Sequence, residues 1–358
     1  MHHVSCSAMT KTERHLEPPP GALVTKGRVQ FGHFSGGIRR PNLIDAKRPF
    51  GVPVPRSLRD LRLKEWQAMQ LGNGRIFIHV ALFQAKSLAM VQVKLYDRET
   101  REKRVFEKPV LPGAFHVAQG LFGTRTVYAK RGTRVAFEND LGNGTLLLRL
   151  DLKKRWGFPA VKAEISLDTR VTEPLVVSIP FGKNRGMYSH KGLFPATGRV
   201  VIGKNEHVFR RDNGYAFIDD HKGYYDYRMR WDWLTGAMHD AAGKLVGFNL
   251  TRNASIDPEG FNENCLWRDG KITLLPAVRF SRESKGSQEI WRVRDDAERV
   301  DVEFSVEAQG DVKLNLGVIK SNYRGPFGHV RGRLVGASGE PLELDGVFGM
   351  AEDFDLRC

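Results

Sequence analysis

The sequence predicts an all-β protein made of two antiparallel β-barrels in tandem, preceded by an extended arm. Three observations lead to this fold class. Short segments of alternating apolar and polar residues run through the chain, tight-turn dipeptides separate them, and the second half repeats landmarks of the first. Barrels and sandwiches are favoured because they close or stack the strand edges that such a chain would otherwise expose.

The length of the chain predicts more than one folding unit. Its 358 residues exceed the roughly 250 to 300 at which single hydrophobic cores stop growing. A Pro- and Gly-rich segment covers residues 17–56 and is typical of an arm packed over a barrel. We therefore expect an arm over residues 1–61, a first β unit over 62–222 and a second over 223–358.

The strands are predicted from β-branched and aromatic residues in alternating runs. In the first half these runs cover residues 75–83, 87–97, 125–130, 133–138, 144–152, 160–167 and 174–181. In the second half they cover residues 207–220, 224–233, 244–250, 263–275, 289–295, 299–307 and 328–336. Almost no segment has the periodicity of a long helix.

Turn dipeptides lie between these runs. Asp269-Gly270 is the strongest hairpin signal, because Asp-Gly readily adopts the positive φ angles of a tight hairpin turn. Asn73-Gly74 and Asn143-Gly144 are predicted to turn the chain in the first half. These signals agree with antiparallel strands joined by short connections.

An internal repeat supports two versions of one β unit. The segment KGLF at 191–194 recurs as RGPF at 324–327, and GRVV at 198–201 recurs as GRLV at 332–335. A third landmark, Gly214 followed six residues later by Asp220, recurs as Gly346 and Glu352. The sequence therefore pairs Asp220 with Glu352, while His221 has no histidine counterpart.

Composition and charge restrict the partners of the protein. The net charge of +15 raises non-specific affinity for nucleic acids and anionic lipids, but Lys and Arg are spread along the chain beside Asp and Glu. No specific nucleic acid is expected. Contact of the basic surface with a membrane is an open alternative, no segment is apolar enough to span a bilayer, and the oligomeric state is undetermined.

The first residues of the chain and its cysteines bear on the cellular compartment of the protein. The first residues lack the apolar central region of a secretory signal, so we expect a cytoplasmic protein with a polar leader. The three cysteines, Cys6, Cys265 and Cys358, have neither disulfide nor metal-ligand spacing and are expected to be free thiols.

The segment YYDYRMRWDW at 224–233 is unusually rich in aromatic and charged residues. Strand alternation predicts aromatic and apolar side chains on one face, with charged side chains on the other. Either the aromatic face fills a core while the charges pair with neighbouring strands, or it lines a barrel that holds an apolar ligand. The ligand-binding candidates here are Tyr224, Tyr225, Tyr227, Trp231 and Trp233.

Acid/base candidates precede the aromatic segment. Asp219, Asp220 and His221 place two carboxylates beside an imidazole, a combination whose pKa values can separate strongly in a low-dielectric site. The repeat offers an alternative for Asp220, since Glu352 matches it in the second unit: an acid at this position closes the barrel in both units.

A second cluster lies at 262–268. Glu263 is a further catalytic candidate, and Asn264 and Trp267 are further ligand-binding candidates, because strand ends face a barrel mouth. Caps of strand ends are an equally good explanation of the polar residues. No metal motif, phosphate-binding loop, dinucleotide fingerprint or nucleophile elbow is present, so neither a metal nor another cofactor is expected.

Four runs together resemble a known bacterial family. They are RMRWDWLTGAM at 228–238, KLVGFNLT at 244–251, ENCLWRDGKITLL at 263–275 and GVFGMAEDF at 346–354. They resemble the family of domain of unknown function 2804 over most of the chain. The resemblance brings no defined activity with it.

A more distant resemblance concerns the junction of the two units. The order Gly214-Tyr215, then Asp220-His221-Lys222-Gly223, then Trp231-Asp232-Trp233 is similar to the carotenoid 1,2-hydratase group. That resemblance implies two lipocalin-like (calycin-like) barrels and an apolar polyene- or terpenoid-like substrate. It also implies a cofactor-independent hydratase- or cyclase-like lyase or isomerase. A non-catalytic lipid carrier or a structural β module at an anionic membrane surface is the alternative.

Overall fold

The computed structural model describes residues 14–316, 319–336 and 339–357. Cys6, Cys358 and the leader up to residue 13 lie outside the described residues. In the described part of the chain Cys265 is buried with a free thiol. No helix in this part is long and apolar enough to cross a membrane.

The arm contains short elements before the first long strand. They are β1 (Leu16–Glu17), β2 (Val24–Thr25), β3 (Arg28–Val29), β4 (Gly32–Phe34), a 3-10 helix (Leu43–Asp45) and α1 (Arg56–Arg62). Strand β4 pairs with a strand of the first sheet, and apolar arm residues such as Leu23 and Leu43 pack against Val176 and Tyr224. The arm is thus bound to the first sheet by backbone pairing and by a core of its own.

The first sheet is built from β5 to β16. These strands are β5 (Leu63–Gly72), β6 (Ile76–Gln84), β7 (Ala89–Asp97), β8 (Glu102–Val110), β9 (Phe122–Lys130), β10 (Thr133–Asp140), β11 (Thr145–Leu152), β12 (Val161–Asp168), β13 (Leu175–Gly182), β14 (Arg185–Ile202), β15 (Asn205–Phe209) and β16 (Tyr215–Tyr224). Two 3-10 helices, Pro112–Ala114 and Leu141–Asn143, lie in its connections. Each predicted strand of the first half is confirmed.

The second sheet is built from β17 to β27. These strands are β17 (Arg228–His239), β18 (Leu245–Arg252), β19 (Cys265–Arg268), β20 (Lys271–Leu274), β21 (Arg279–Lys285), β22 (Gln288–Arg294), β23 (Val300–Ala308), β24 (Asp311–Leu316), β25 (Ile319–Arg324), β26 (Phe327–Val335) and β27 (Pro341–Arg357). The Asp269-Gly270 hairpin between β19 and β20 is confirmed, and both residues have positive φ, 54° and 74°.

Two predicted runs are interrupted. The run at 207–220 is divided between β15, which ends at Phe209, and β16, which begins at Tyr215. The alternating run at 224–233 is not continuous, because β16 ends at Tyr224 and β17 begins at Arg228. The three residues between them carry the chain from the first sheet to the second.

The two sheets repeat one strand order. The main path of the first is β8-β7-β6-β5-β16-β14-β12-β11-β10-β9, and that of the second is β20-β19-β18-β17-β27-β26-β23-β22-β21. In each, four consecutive strands are followed by the last strand of the sheet and then by an earlier strand, β14 or β26. A run of consecutive earlier strands completes the path, four in the first sheet and three in the second. All long strands pair antiparallel, which confirms the all-β prediction with two curled sheets in tandem.

Each sheet encloses its own hydrophobic core. Ile78, Val80 and Leu82 of β6 belong to the core of the first sheet, and Leu234 of β17 belongs to the core of the second. A third core joins residues of both sheets and includes Phe217 of β16. The units therefore meet across a buried interface.

Candidate functional site

A cavity of about 190 Å³ lies at the interface between the two sheets. The first sheet contributes walls from β5, β6, β7, β8, β14 and β16, and the second contributes β17, β18, β27 and Glu263, which precedes β19. We expected a ligand inside a single barrel, but the barrel interiors are filled by side chains. The cavity lies instead between the outer faces of the two sheets.

Strand alternation explains why the cavity forms there. In β6, Ile78 and Val80 point into the first core, while His79, Ala81 and Phe83 line the cavity. Both faces of the strand are therefore buried, and its sequence IFIHVALF is almost continuously apolar. Small Ala81 leaves room where a larger residue would fill the space.

A column of four stacked rings runs along the cavity. His221 stacks on Trp66 with ring centroids 3.7 Å apart and planes 4° from parallel. Trp66 in turn lies 5.5 Å from Trp231, and Trp231 stacks on Phe354 at 3.9 Å. Two rings come from each sheet. The stacked rings cover one another's faces and give the cavity an apolar wall.

The column follows from equivalent pairing in the two sheets. His221 lies opposite Trp66 in the β16–β5 ladder, and Phe354 lies opposite Trp231 in the β27–β17 ladder. The repeat thus brings the same cross-strand ring pair from each unit to the interface. His221 is the polar member of the column, and its counterpart is Phe354.

A buried charged cluster forms one side of the cavity. The Nζ of Lys191 donates a hydrogen bond to Asp219 Oδ1 over 2.8 Å and lies 3.6 Å from Glu263 Oε1. Trp66 Nε1 donates to Asp219 Oδ2 over 2.9 Å, and Asn253 Nδ2 donates to Glu263 Oε2 over 3.2 Å. One lysine here faces two carboxyl groups, an imbalance that favours a proton on one of them.

The pKa directions in this cluster agree with that imbalance. Burial raises the pKa of Glu263, and the charge of Asp219 raises it further against the opposing effect of Lys191. Burial alone would lower the pKa of Lys191, but Asp219 and Glu263 outweigh it and the pKa of the lysine is raised. Glu263 Oε1 is buried without a well-formed hydrogen bond in the described part of the chain. Glu263 is therefore a buried cavity-lining carboxyl whose environment favours its protonated form.

His221 is a neutral imidazole at this site. Burial lowers its pKa well below the usual value, and Lys191 and Lys222 act in the same direction. Its Nε2 lies 2.7 Å from the hydroxyl of Tyr225, which also lines the cavity. Nδ1 has no partner among the described residues. We assign the proton to Nε2, because a buried N–H without an acceptor is rarer than a bare lone pair.

A second polar cluster forms at the other end of the cavity. Glu352 accepts hydrogen bonds from Trp231 Nε1 over 3.1 Å and from the Tyr323 hydroxyl over 2.8 Å. Lys94 donates to the same hydroxyl. Burial lowers the pKa of Lys94 to about 8, although Glu352 and Glu107 oppose this. Burial raises the pKa of Glu352, so this end too holds a carboxyl that favours its proton.

The two clusters are related by the repeat, with a correction to the predicted correspondence. Asp219 and Glu352 each accept a hydrogen bond from the tryptophan of their own unit, so Asp219, and not Asp220, corresponds to Glu352. The shift of one residue has a simple cause. Gly346 is the unpaired residue of a β-bulge within β27, whereas Gly214 lies just before β16, so the two glycines are not equivalent positions from which to count.

Some residues named from the sequence lie away from the cavity. Alternation in β16 turns Asp220 to the opposite face, where Lys222 donates to both of its carboxylate oxygens at 3.2 Å. Tyr224 packs edge-on against Phe50 of the arm. Tyr227 lies in the connection between β16 and β17 and is 52% exposed. Asp219, His221 and Tyr225 remain at the cavity.

The cluster at 262–268 is divided in the same way. Glu263 lines the cavity, but Asn264 is held in the backbone framework, where its side chain accepts from Thr251 N and donates to Pro276 O. Trp267 is buried against Phe217 on another side of the interface. The polar asparagine therefore matches the strand-cap explanation.

The charged face of β17 pairs with neighbouring strands. Arg228 donates to Asp355 over 2.9 Å, and Arg252 donates to Asp232 over 2.8 Å. Trp231 and Trp233 of the other face line the cavity. The pairing of the charged face is therefore confirmed, and the role of the aromatic face in ligand binding stays a prediction.

Most residues that line the cavity were not candidates from the sequence. Lys191 and Glu352 entered the sequence analysis only through the repeat, and Trp66 was not a candidate. Lys94, which contacts the lining residue Tyr323, was not a candidate either. A charged residue in a predicted strand was the one available signal for the two lysines. In the described part of the chain no three His, Cys, Asp or Glu side chains are placed to hold a metal ion.

Comparison with known protein families shows which family the chain belongs to. The profile of the family described as domain of unknown function 2804 (DUF2804) matches residues 13–357. The chain belongs to the DUF2804 family. No curated protein matches the sequence of this DUF2804 protein.

Solved structures resemble this DUF2804 protein in fold. The crystal structure of CghA with Sch210972 aligns with a TM-score of 0.50 and 14% identity, covering 82% of this chain and 88% of CghA. A protein described as AttH from Nitrosomonas europaea gives 0.45 and 12%, covering 86% and 96%. Kievitone hydratase from Nectria haematococca gives 0.44 and 8%, covering 81% and 88%. The predicted lipocalin-like fold is confirmed.

Proposed function

We propose that this DUF2804 protein binds a compact apolar, lipid- or terpenoid-like molecule between its two units and converts it by cofactor-independent acid/base chemistry. One observation carries the proposal. The apolar, ring-walled cavity contains a buried carboxyl, Glu263, whose pKa is raised and whose Oε1 has no well-formed hydrogen bond in the described structure. An acid in such a place can protonate a substrate that water would otherwise shield.

The size of the cavity supports a compact ligand. An apolar cavity of ~150 Å³ in another protein binds benzene. The cavity here, at about 190 Å³, is larger and has polar groups at both ends. We therefore expect a small ring or branched skeleton, not an extended acyl chain.

The residues divide into roles that follow from their positions. Glu263 gives the proton from Oε1 to an alkene carbon or an epoxide oxygen of the substrate. The apolar wall that contains Trp66, Trp231 and Trp233 keeps bulk water away from the cation that forms. Lys191 donates to Asp219, which accepts the hydrogen bond of Trp66. When one water captures the cation, the oxonium that results passes a proton to the Glu263 carboxylate and gives a hydrated product. When the cation instead loses a neighbouring proton to Glu263, a cyclised or isomerised product results, and the acid is restored in both cases.

A protein of the same fold has been crystallised with a small molecule. That structure is CghA with Sch210972. It is consistent with a ligand in this fold and carries no information on which ligand this chain takes.

Binding is tested by filling the cavity. Ala81→Phe places a ring in the cavity, and Ala129→Phe places the same ring on an exposed position of β9. We expect titration calorimetry with limonene and geraniol to show binding to the native protein and to Ala129→Phe, and at least tenfold weaker binding to Ala81→Phe. Equal binding by all three proteins would place the ligand elsewhere.

Catalysis is tested by an isosteric change of the acid. Glu263→Gln keeps the shape of the side chain and removes the proton donor, while Glu343→Gln makes the same change at an exposed position of β27. We expect gas chromatography after incubation with a panel of cyclic and acyclic terpenoid alkenes and epoxides to show products with native protein and Glu343→Gln. Glu263→Gln should bind and lose at least a hundredfold in rate. Binding without turnover by the native protein would identify a carrier.

A further inference from the structure

An exposed tryptophan projects from one end of the first sheet. Trp156 lies on the β11–β12 connection, and its side chain is fully exposed, although large aromatic side chains are normally mostly buried. The connection itself is well held. Arg155 and Phe158 pair through backbone hydrogen bonds of 3.0 and 3.1 Å, and the Phe158 ring packs against Phe106. The tryptophan is therefore displayed on an anchored loop.

Basic side chains surround this tryptophan on three adjoining connections. Lys153 N donates to Gly132 O, which joins the β11–β12 connection to the β9–β10 turn, and Gly203 N donates to Ala160 O, which joins it to the β14–β15 turn. The exposed basic residues on these connections are Lys130, Arg131, Lys153, Lys154, Arg155 and Lys204. We call these six residues and Trp156 the Trp156 surface.

Acidic residues are absent from the segments that form most of this surface. Neither residues 129–134 nor residues 152–163 contain an Asp or a Glu. Elsewhere basic and acidic residues alternate, as at 97–104. Asp151, Glu164 and Glu206 lie beyond the connections, so the positive charge is concentrated on the connections themselves. Its potential extends about one Debye length, ~8 Å, into solution at physiological ionic strength.

We infer that the Trp156 surface docks the protein onto an anionic lipid bilayer. Tryptophan prefers the interface of a bilayer, where its ring reaches the acyl boundary and its N–H remains hydrated. Lysine and arginine beside it are attracted to anionic headgroups. The cluster contains both signals, and membrane contact of this kind does not depend on the proposed chemistry at the cavity.

A single-stranded nucleic acid fits this surface less well. Such ligands are bound by a basic groove with several aromatic rings on which successive bases stack. Here one ring projects from a convex loop, and the neighbouring rings of Phe106 and Phe158 are buried. The geometry therefore favours insertion of one side chain into a soft surface.

The test uses the full chain with vesicles of defined composition. We expect native protein to sediment with vesicles of phosphatidylcholine and phosphatidylglycerol (3:1), and to sediment much less with phosphatidylcholine alone. Lys153→Gln/Lys154→Gln should weaken partitioning at least about tenfold, because each basic residue contributes ~1 kcal/mol near an anionic surface. The control pair Arg268→Gln/Lys285→Gln removes the same charge from exposed positions of the second sheet and should leave partitioning within twofold.

Insertion of the ring is tested separately. Trp156→Ala should weaken partitioning at least fivefold and abolish quenching of tryptophan fluorescence by brominated lipid, whereas Ile256→Ala, at another exposed apolar residue, should change neither. Circular dichroism and melting temperature verify that each variant is folded. Equal sedimentation of all variants, or binding of native protein to neither vesicle, would overturn the inference. Binding of a single-stranded oligonucleotide that depends on these residues, without vesicle binding, would also overturn it.

Discussion

Two buried lysines at the cavity have pKa shifts of opposite direction. Lys191 lies 2.8 Å from one carboxylate oxygen and 3.6 Å from a second carboxyl, and these neighbours outweigh burial. Lys94 donates instead to the neutral phenol of Tyr323, with Glu352 beyond it, and burial lowers its pKa to about 8. Direct contact with carboxyl groups thus offsets the effect of burial on the pKa of Lys191, and the more distant carboxyl groups near Lys94 do not offset it.

The shift of Lys94 predicts a rise in stability with pH. The unfolded lysine keeps its proton up to about pH 10, while the folded one loses it from about pH 8, so the unfolded state binds more protons between these values. We expect the free energy of unfolding of native protein, minus that of Lys94→Met, to rise by on the order of 2 kcal/mol from pH 8 to pH 10.

Urea denaturation at several pH values measures this difference. Lys271→Met, at an exposed lysine paired with Glu173, serves as the control and should follow native protein at every pH. Parallel curves for native protein and Lys94→Met would show that Lys94 keeps an ordinary pKa.

Strand β16 places neighbouring polar residues in two different environments. Its alternating side chains place Asp219 and His221 at the cavity, and Asp220 and Lys222 on the opposite face as a buried ion pair. A run of polar residues that looks like one cluster in sequence is thus divided between two environments. The division could be predicted from strand alternation, but which face held the cavity depended on the second sheet.

One glycine in each sheet has a similar backbone conformation. Substituting each of them tests whether the two sheets are built in the same way. Gly198 of β14 has φ 132°, and Gly332 of β26 has φ 122°, in the region that favours glycine. A Cβ on either would collide with a backbone oxygen of the neighbouring strand, that of Glu164 or that of Asp301. We expect Gly198→Ala and Gly332→Ala each to lower the free energy of unfolding by at least 1–3 kcal/mol, roughly the cost of such backbone strain.

Chemical denaturation gives the comparison, with Gly74→Ala as the control. Gly74 lies in the β5–β6 turn, where an added Cβ meets no atom within 4 Å. A small effect at one glycine and a large effect at the other would argue against equivalent roles in the two sheets.

The two units are held together by a core that neither completes alone. Phe217 of the first sheet packs edge-on against Trp267 of the second, with centroids 5.8 Å apart, and both belong to the shared core. The cavity lies in the same interface. Binding and folding of the two units are therefore expected to be linked.

This linkage predicts one cooperative unfolding transition. We expect circular dichroism and tryptophan fluorescence to report the same midpoint in native protein, because loss of either unit would expose the shared core. Phe217→Ala should lower the free energy of unfolding by about 3–5 kcal/mol, as for other buried phenylalanines, and keep the two midpoints together. Two separate midpoints would mean that the units unfold independently.

Sequence alone determined the local architecture of this protein. Alternation, Asp-Gly turns and the repeated glycines predicted the strands, the hairpin at Asp269-Gly270 and two β units, because these depend on backbone geometry within a few residues. The aromatic segment and the acids around Asp219 and Glu263 were also visible as candidates.

Only the tertiary structure decided where those residues meet. Lys191, Trp66 and Glu352 belong to strands far apart in sequence, and they surround one cavity because two curled sheets pack outer face to outer face. The tryptophan hydrogen bonds match Glu352 with Asp219 and not with Asp220, because Gly346 lies in a β-bulge and is not the equivalent of Gly214. Such facts depend on sheet register and on contacts between units, which no local pattern encodes.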